Sequence, residues 1–255
     1  MDERAMINFD RYGHGERKLI GLHGWYGDRR TFKPLELSLD PATVECAWLS
    51  HRGYDSSIDI AGRYDVAEMA SDALAVADRL GWTTFSLIGH SMGGKAAQLV
   101  AAAQPGRVES LILVSPVSAD PVPFDGPTRA VFDSAPGSSD NRRMIVDSST
   151  GSRLSPVWVN QVVANSVHNT KAEAFAAYFR SWADEDFSAT IKDMAVRTLV
   201  LAGAQDQVIS AEVCEAGFRG RYRNLVIKEL EGSGHYPMDE VPLLLGAEVL
   251  GHLQA

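Results

Sequence analysis

Ser91 stands in a Gly-x-Ser-x-Gly motif, Gly89-His90-Ser91-Met92-Gly93. An apolar run at 85–88 precedes the motif, and a stretch of small residues at 94–103 follows it. This order predicts a strand, a sharp turn and a helix, because glycines beside the serine let strand and helix approach closely. A serine at such a turn lies at a helix N-terminus, where a nearby base can make its hydroxyl a nucleophile. The alternative is a glycine-rich turn whose serine has no chemical role.

His235 and Asp206 are the residues that could activate this serine. A serine hydroxyl is a weak nucleophile at neutral pH, so it needs a base, and the base needs an orienting acid. His235 lies in a glycine-rich turn after the last predicted strand, and Asp206 follows the strand predicted at 198–202. The carboxyl ends of parallel strands share one edge of a sheet, so we expect the three residues to meet there. The alternatives are a surface-loop histidine and an aspartate that caps a helix.

The elements that must position these residues are apolar strands alternating with amphipathic helices. The clearest helix is 65–80, whose apolar residues form one stripe that ends at Gly81. Strands that are apolar on both faces are typical of a parallel sheet covered on both sides. The sequence therefore predicts an α/β fold with a mostly parallel, twisted sheet of about eight strands flanked by helices. The strands are predicted at 5–10, 18–22, 44–49, 85–88, 110–114, 198–202 and 225–227.

Residues 120–193 interrupt the alternation of strands and helices. No strand pattern occurs there, and the first part is rich in proline. Helical patterns follow at 141–148, 156–168 and 171–182. We therefore expect a helical cap at 120–193, inserted in a core formed by 1–119 and 194–255.

Composition excludes several classes of function. The formal net charge of −9 disfavours nucleic acid, which clustered lysines and arginines bind. Cys46 and Cys214 are the only cysteines, and their spacing predicts neither a disulfide framework nor a metal site. Met1-Asp2-Glu3-Arg4 lacks the features of a secretion signal, and the apolar runs are too short to span a bilayer. These observations predict a cytoplasmic globular protein. We separately expect a monomer or homodimer whose partner is a small molecule.

Five motifs resemble those of the α/β-hydrolase superfamily, and the resemblance covers nearly the full length. Their order, nucleophile then acid then histidine, is that of the superfamily. The helical insertion falls where members carry a cap domain. The sequence is most similar to serine carboxylesterases with such a cap. The matching motifs are Leu22-His23-Gly24-Trp25, His51-Arg52-Gly53-Tyr54-Asp55-Ser56, Gly89-His90-Ser91-Met92-Gly93-Gly94, Leu201-Ala202-Gly203-Ala204-Gln205-Asp206 and Gly234-His235.

The resemblance implies a role for each motif residue. Ser91 would be the nucleophile, His235 the general base and Asp206 the orienting acid. The backbone N–H groups of Met92 and Trp25 would form the oxyanion hole, which typically contributes about 3–4 kcal/mol per donor. His23, next to this loop, would support it by hydrogen bonding. No cofactor is implied.

The implied reaction is hydrolysis of an ester, thioester or lactone through an acyl-serine. Serine at position 91, in place of aspartate, disfavours dehalogenase and epoxide hydrolase chemistry. Specificity is expected in the cap, where an apolar bias favours an acyl or aromatic substrate. Each aromatic or apolar candidate could instead belong to the core of the cap. The candidates for substrate binding are Tyr26, Phe124, Met144, Trp158, Phe179 and Trp182, with Trp25 beside them.

Three alternative functions remain open. A lyase or C–C bond hydrolase of this fold would use cap arginines, which the sequence offers at positions 129, 142, 143, 153 and 180. A cofactor-free perhydrolase would use peroxide in place of water. A signalling receptor derived from a hydrolase would bind a lactone-like ligand and a partner protein.

Overall fold

A seven-stranded sheet forms the centre of the computed structural model, which describes residues 5–254. The strand order is β1-β3-β2-β4-β5-β6-β7, and all neighbours pair in parallel except β1 with β3. The predicted mostly parallel sheet is confirmed, with seven strands among the described residues where about eight were expected. The secretion-signal prediction concerned residues 1–4, which lie outside the described residues. The strands are β1 Phe9–Gly13, β2 Arg17–Leu22, β3 Val44–Leu49, β4 Phe85–His90, β5 Val108–Val114, β6 Arg197–Gly203 and β7 Leu225–Leu230.

Helices cover both faces of the sheet, and none within residues 5–254 has the length and apolar character needed to cross a membrane. The spacing of Phe32, Leu35 and Leu39 predicts a helix over 30–39, but the structure has only a 3-10 turn there, Lys33–Leu37, with a proline as its second residue and Leu35 as its one buried residue. The helices are α1 Val66–Leu80, α2 Met92–Ala103, α3 Gly126–Ser134, α4 Ser139–Ser149, α5 Pro156–His168, α6 Ala172–Asp184, α7 Ala211–Phe218, α8 Pro237–Glu240 and α9 Pro242–Gln254.

Two apolar cores lie on opposite faces of the sheet. Leu19 and Ile20 are adjacent on β2, and both are buried, one in each core. One core is covered by α1, α2, α6 and α7, and the other by α9 and the 3-10 turn. Because both faces are covered, the central strands β3 to β6 bury residues on both sides, which is why they read as largely continuous apolar runs.

The chain between β5 and β6 folds into four helices, α3 to α6. The sequence indicated the last three, but α3 lies in the proline-rich part where no helix was expected. Pro127 stands in the first turn of α3, where a missing N–H costs nothing because that group has no partner within the helix. Asp125 caps the same turn by accepting a hydrogen bond from the Thr128 N–H at 2.7 Å.

Candidate active site

Ser91 occupies the sharp turn between β4 and α2, with a φ of +52° that non-glycine residues rarely adopt. The turn is tight because the glycines on either side have no side chain. A Cβ at Gly93 would lie 2.2 Å from the Leu22 carbonyl oxygen, and one at Gly89 would lie 2.6 Å from the Gly93 carbonyl oxygen. The predicted strand, turn and helix are therefore present, and no residue larger than glycine fits at these two positions.

His235 and Asp206 form a hydrogen-bonded pair, with 2.6 Å between Nδ1 and a carboxylate oxygen. The other oxygen of Asp206 accepts hydrogen bonds from the backbone N–H groups of Val208 at 3.0 Å and Ile209 at 2.9 Å. Burial alone would raise the pKa of Asp206, but His235 and these N–H groups hold it below the usual value. The carboxylate is therefore ionised at neutral pH. Because Nδ1 donates to it, Nε2 of His235 is left to act as a base.

Ser91 and His235 line the same cavity, beneath the helices inserted between β5 and β6. Fifteen of the twenty residues around this cavity are apolar or aromatic, and none is charged. Convergent polar groups in a mostly apolar cavity are typical of small-molecule sites. The cavity is lined by Trp25, Tyr26, His90, Ser91, Pro116, Val117, Ser118, Pro121, Val122, Pro123, Phe124, Phe132, Ile145, Ser149, Trp182, Val208, Ile209, Val213, His235 and Tyr236.

The backbone N–H groups of Met92 and Trp25, predicted to form an oxyanion hole, belong to the two segments that adjoin Ser91. Met92 is the first residue of α2, so its N–H has no acceptor within the helix. The loop after β2 passes directly over the serine, since a Cβ at Gly24 would lie 3.2 Å from the Ser91 Cβ. In the described part of the chain, the N–H of the next residue, Trp25, makes no hydrogen bond with another backbone group.

Buried histidines hold these loops in place. His90 Nε2 lies 2.8 Å from the backbone oxygen of His235 and donates to it, so the turn that carries the base is tied to β4. His23 Nδ1 lies 2.8 Å from the Gly24 oxygen, and its Nε2 accepts the N–H of His51 at 3.3 Å. The support that the sequence predicted for His23 is therefore seen, whereas the contribution of His90 could not be expected from a residue 145 positions away.

We expect these buried histidines to destabilise the protein in mild acid. Burial lowers the pKa of His23 to about 4 and that of His90 to about 3. An unfolded histidine titrates near pH 6.5, so below that pH the unfolded chain binds protons that the folded protein does not. The free energy of unfolding should fall by about 1.4 kcal/mol per pH unit for each such histidine.

Urea denaturation between pH 7.5 and 5.5 measures this slope. His90→Gln should make it shallower, and His168→Gln should leave it unchanged because His168 is exposed on α5. An unfolding free energy that is constant across this range would contradict the assignment of neutral, buried histidines.

The structure divides the predicted substrate-binding residues into two groups. Tyr26, Phe124 and Trp182 line the cavity, as does Trp25. The other three, Met144, Phe179 and Trp158, do not line it, which corrects their assignment. Met144 is 56% exposed, and Phe179 lies within the aromatic cluster around Trp25. Trp158 donates a hydrogen bond from Nε1 to Asp239.

Sequence reasoning missed most of the apolar lining. Val208 and Ile209 follow Asp206 by two and three positions, so their place after a strand end was a usable signal. The same holds for Val117, three residues after β5. Phe132 and Ile145 lie in the inserted helices, and no local pattern separates them from residues that face away from the cavity.

The described residues hold no group of three or more His, Cys, Asp or Glu side chains that could bind a metal ion.

Comparisons with known proteins find relatives that match most of the chain. "Putative carbamate hydrolase RutD" of Caulobacter vibrioides is 27% identical over 200 residues, which span 72% of this chain and 71% of that protein. A non-heme chloroperoxidase of Streptomyces lividans is 27% identical over 225 residues, 80% of this chain and 79% of that protein. The solved esterase EaEST of Exiguobacterium antarcticum superposes with a TM-score of 0.87 at 21% identity, over 98% of this chain and 96% of that one.

A family model decides the classification. The model described as the alpha/beta hydrolase family matches residues 19–247, which include the serine turn, Asp206 and His235. The resemblance inferred from the five sequence motifs is thus confirmed, and the chain belongs to the alpha/beta hydrolase family.

Proposed function

We propose that this protein is a serine hydrolase that cleaves a small, neutral carboxylic ester, thioester or lactone. The observation that carries the proposal is the pair of His235 and the buried Asp206, with 2.6 Å between Nδ1 and the carboxylate, whose histidine lines the same cavity as Ser91. Base, acid and nucleophile come from three strand ends, and this arrangement serves nucleophilic catalysis.

The reaction proceeds in two halves. His235 Nε2 takes the proton of the Ser91 hydroxyl while Oγ attacks the substrate carbonyl carbon. The N–H groups of Met92 and Trp25 stabilise the oxyanion, and His235 returns the proton to the leaving group. His235 then takes a proton from water, which attacks the acyl-serine, and it returns this proton to Ser91 Oγ as the bond to the acyl group breaks and the acid is released. Asp206 stays ionised and stabilises the imidazolium in both halves. These steps require no cofactor.

The helices of residues 120–193 act in this proposal as a cap that shields the acyl-serine from bulk water. Phe124, Phe132 and Trp182 contribute the cap side of the cavity. Trp25 fastens the cap to the oxyanion loop, because its indole N–H donates to the Phe175 oxygen at 2.8 Å and its ring stacks on Phe175 at 4.0 Å. The core of 1–119 and 194–255 would then supply the catalytic groups.

The charge distribution favours a neutral substrate. Arg142, which is buried, donates to Ser166 Oγ and to the Ala135 and Pro136 oxygens, and does not line the cavity. Arg129 and Arg153 form ion pairs with acidic residues outside it. Transfer of an ionised group into an apolar cavity without a partner is costly. This argues against a lyase or C–C bond hydrolase that uses cap arginines to bind an acidic substrate.

We therefore expect neutral esters to be hydrolysed in preference to anionic ones. The kcat/KM for p-nitrophenyl butyrate should exceed that for the p-nitrophenyl monoester of succinic acid by a factor of about ten or more, equivalent to at least 1.4 kcal/mol. A panel of esters that varies acyl length, charge and leaving group measures the ratio. Equal kcat/KM values, or a higher value for the anionic ester, would indicate a cation in the cavity. That result would favour the lyase or C–C bond hydrolase that acts on an acidic substrate.

A peroxide assay tests the second candidate, a cofactor-free perhydrolase, which the likeness to a non-heme chloroperoxidase favours. In that reaction hydrogen peroxide replaces water in the attack on the acyl-serine and gives a peracid. Peracid formation from acetate or an acetyl ester, at a rate above that of hydrolysis, would support it.

Negligible turnover on every ester, together with capture of a ligand-dependent partner protein, would instead support the signalling receptor.

A further inference from the structure

Lys95 is a fully buried lysine on α2, one helical turn after Ser91. Its ammonium donates hydrogen bonds to the backbone oxygens of Asp120 at 2.9 Å, Trp182 at 2.9 Å and Glu185 at 2.6 Å. An ammonium has three donors, so this set uses all of them. All three acceptors are backbone carbonyls. The lysine therefore holds the backbone of these segments in place, and this interaction does not depend on which side chains the three residues carry.

The three carbonyls belong to the two connections of the cap with the sheet. Asp120 lies where the chain leaves β5, and Trp182 and Glu185 lie at the end of α6, where it returns towards β6. The last carbonyls of a helix lack partners within it and carry partial negative charge, so a cation there is favourable.

The two connections also form backbone hydrogen bonds with each other, beside the residues that bind the lysine. The Val122 N–H donates to the Ala183 oxygen at 2.8 Å, and the Phe187 N–H donates to the Ala119 oxygen at 3.1 Å. The Phe187 ring centre lies 5.7 Å from the Lys95 ammonium. The ammonium therefore links the two chain segments at the point where they meet. The segments can move apart only if the hydrogen bonds of the ammonium break.

We propose that Lys95 is a positioning residue that fixes the cap over Ser91 and thereby sets the shape of the substrate cavity. Its effect on the cavity passes through Trp182, whose carbonyl binds Lys95 and whose indole lines the cavity wall. Neither Asp206 nor His235 contacts the ammonium, so Lys95 acts on the walls of the site and not on the catalytic groups.

The protonation state of Lys95 fits this role. Burial lowers its pKa to about 8, and the surrounding carboxylates oppose this shift. At neutral pH the amine is therefore still mostly charged and carries the three protons that its three acceptors need. The charged groups that face it are Asp120, which is paired with Arg221, and Asp184, Glu185 and Asp186.

Hydrogen–deuterium exchange of Lys95→Met tests the proposal without reference to catalysis. Methionine keeps the length of the side chain and removes the donors. Amides at 120–124 and 182–187 should exchange about tenfold faster or more, which corresponds to the net loss of about one hydrogen bond. Amides of α1, which do not depend on the lysine, should keep their wild-type rates.

Gln98→Met is the matched control. Gln98 is buried one turn further along α2, and it donates to the Val117 oxygen at 2.8 Å, so it binds the outgoing connection but not the end of α6. This variant should leave exchange at 182–187 unchanged. Wild-type exchange at 182–187 in Lys95→Met, or acceleration that is no greater than in Gln98→Met, would overturn the proposal.

A kinetic measurement adds a readout that rests on the proposed ester hydrolysis. Lys95→Met should raise the KM for a bulky neutral ester about tenfold and leave kcat within about threefold, because the cavity wall changes while the catalytic groups stay in place. A fall in kcat with an unchanged KM would contradict a role in positioning the cap. If the wild-type protein hydrolyses no ester, the proposed function fails, and exchange still decides the role of Lys95.

The wild-type protein supplies a test that needs no variant, should Lys95→Met fail to fold. A neutral amine offers two protons to three carbonyls. Exchange at 182–187, relative to α1 and corrected for intrinsic rates, should therefore rise as the pH passes about 8. The pKa values of the facing carboxylates of Asp120, Asp184 and Asp186 are lowered from the usual aspartate value, so these groups do not titrate in this range. A constant ratio between pH 7 and 9.5 would overturn the proposal.

Discussion

Replacement of Ser91 with alanine should abolish ester hydrolysis, lowering kcat for p-nitrophenyl butyrate by a factor of about 10⁶. The reason is that alanine removes the atom that forms the acyl intermediate, while the oxyanion donors and cavity remain. Alanine also removes the site of covalent modification. Intact-protein mass spectrometry should therefore show one organophosphate adduct on the wild-type protein and none on Ser91→Ala.

Ser86→Ala is the control for this experiment. Ser86 is a buried serine on β4, the strand that leads to Ser91. Its hydroxyl accepts a hydrogen bond from Ser110 Oγ at 3.0 Å, and it does not line the cavity. It should retain wild-type turnover and form the adduct. Ester hydrolysis by Ser91→Ala at the wild-type rate, or an adduct mapped to another serine, would refute Ser91 as nucleophile.

Asp206→Asn should lower kcat by a factor of about 10⁴ and leave the fold intact. An amide in place of the carboxylate can donate a hydrogen bond to Nδ1 of His235, which favours the tautomer with the proton on Nε2. That nitrogen is then unable to accept the Ser91 proton. The variant also lacks the negative charge that stabilises the imidazolium in both halves of the reaction. Stopped-flow or steady-state hydrolysis, with circular dichroism to check folding, measures the effect.

Asp239→Asn separates this effect from the loss of any carboxylate near this turn. Asp239 is an exposed aspartate on α8, and it accepts a hydrogen bond from the Trp158 indole at 3.2 Å. Its amide variant should keep kcat within about threefold because no step of the proposed reaction uses it. Full activity in Asp206→Asn would mean that another group orients His235.

Stability should respond to pH through Asp206 as well. Its folded-state pKa lies below that of an unfolded aspartate, so above the unfolded value the ionised carboxylate stabilises the folded protein. That contribution is lost as the pH falls through the folded-state pKa. The stabilisation by Asp206 is therefore lost at a lower pH than the one at which the buried histidines begin to destabilise the protein.

The sequence by itself determined the fold class and the motifs at the strand ends. Continuous apolar strands, the capped stripe of α1 and the glycines around Ser91 are local features, and local backbone preference acts over a few residues. A general rule then placed Ser91, Asp206 and His235 at one edge, because parallel strands all end on the same side of the sheet. The roles of the three residues remain predictions for the experiments above.

Local patterns failed where the same pattern fits two environments. The stripe of apolar residues in α4 predicts one buried face, but not whether Met144 or Ile145 meets the cavity; Met144 is exposed and Ile145 lines it. The proline-rich part of the insertion showed no helical pattern, yet Pro127 lies in the first turn of α3. In α4 the packing of neighbouring helices made the choice, whereas α3 begins at a local cap, Asp125, despite the prolines around it.

Only the tertiary structure decided which side chains touch. The contact of His235 with Asp206 spans 29 residues, that of His90 with the His235 backbone spans 145, and those of Lys95 with the end of α6 span 87 and 90. Such contacts depend on where whole elements pack, and sequence spacing carries no record of that. The serine turn was thus readable from ten residues, whereas the lining of its cavity and the lysine beneath the cap required the folded chain.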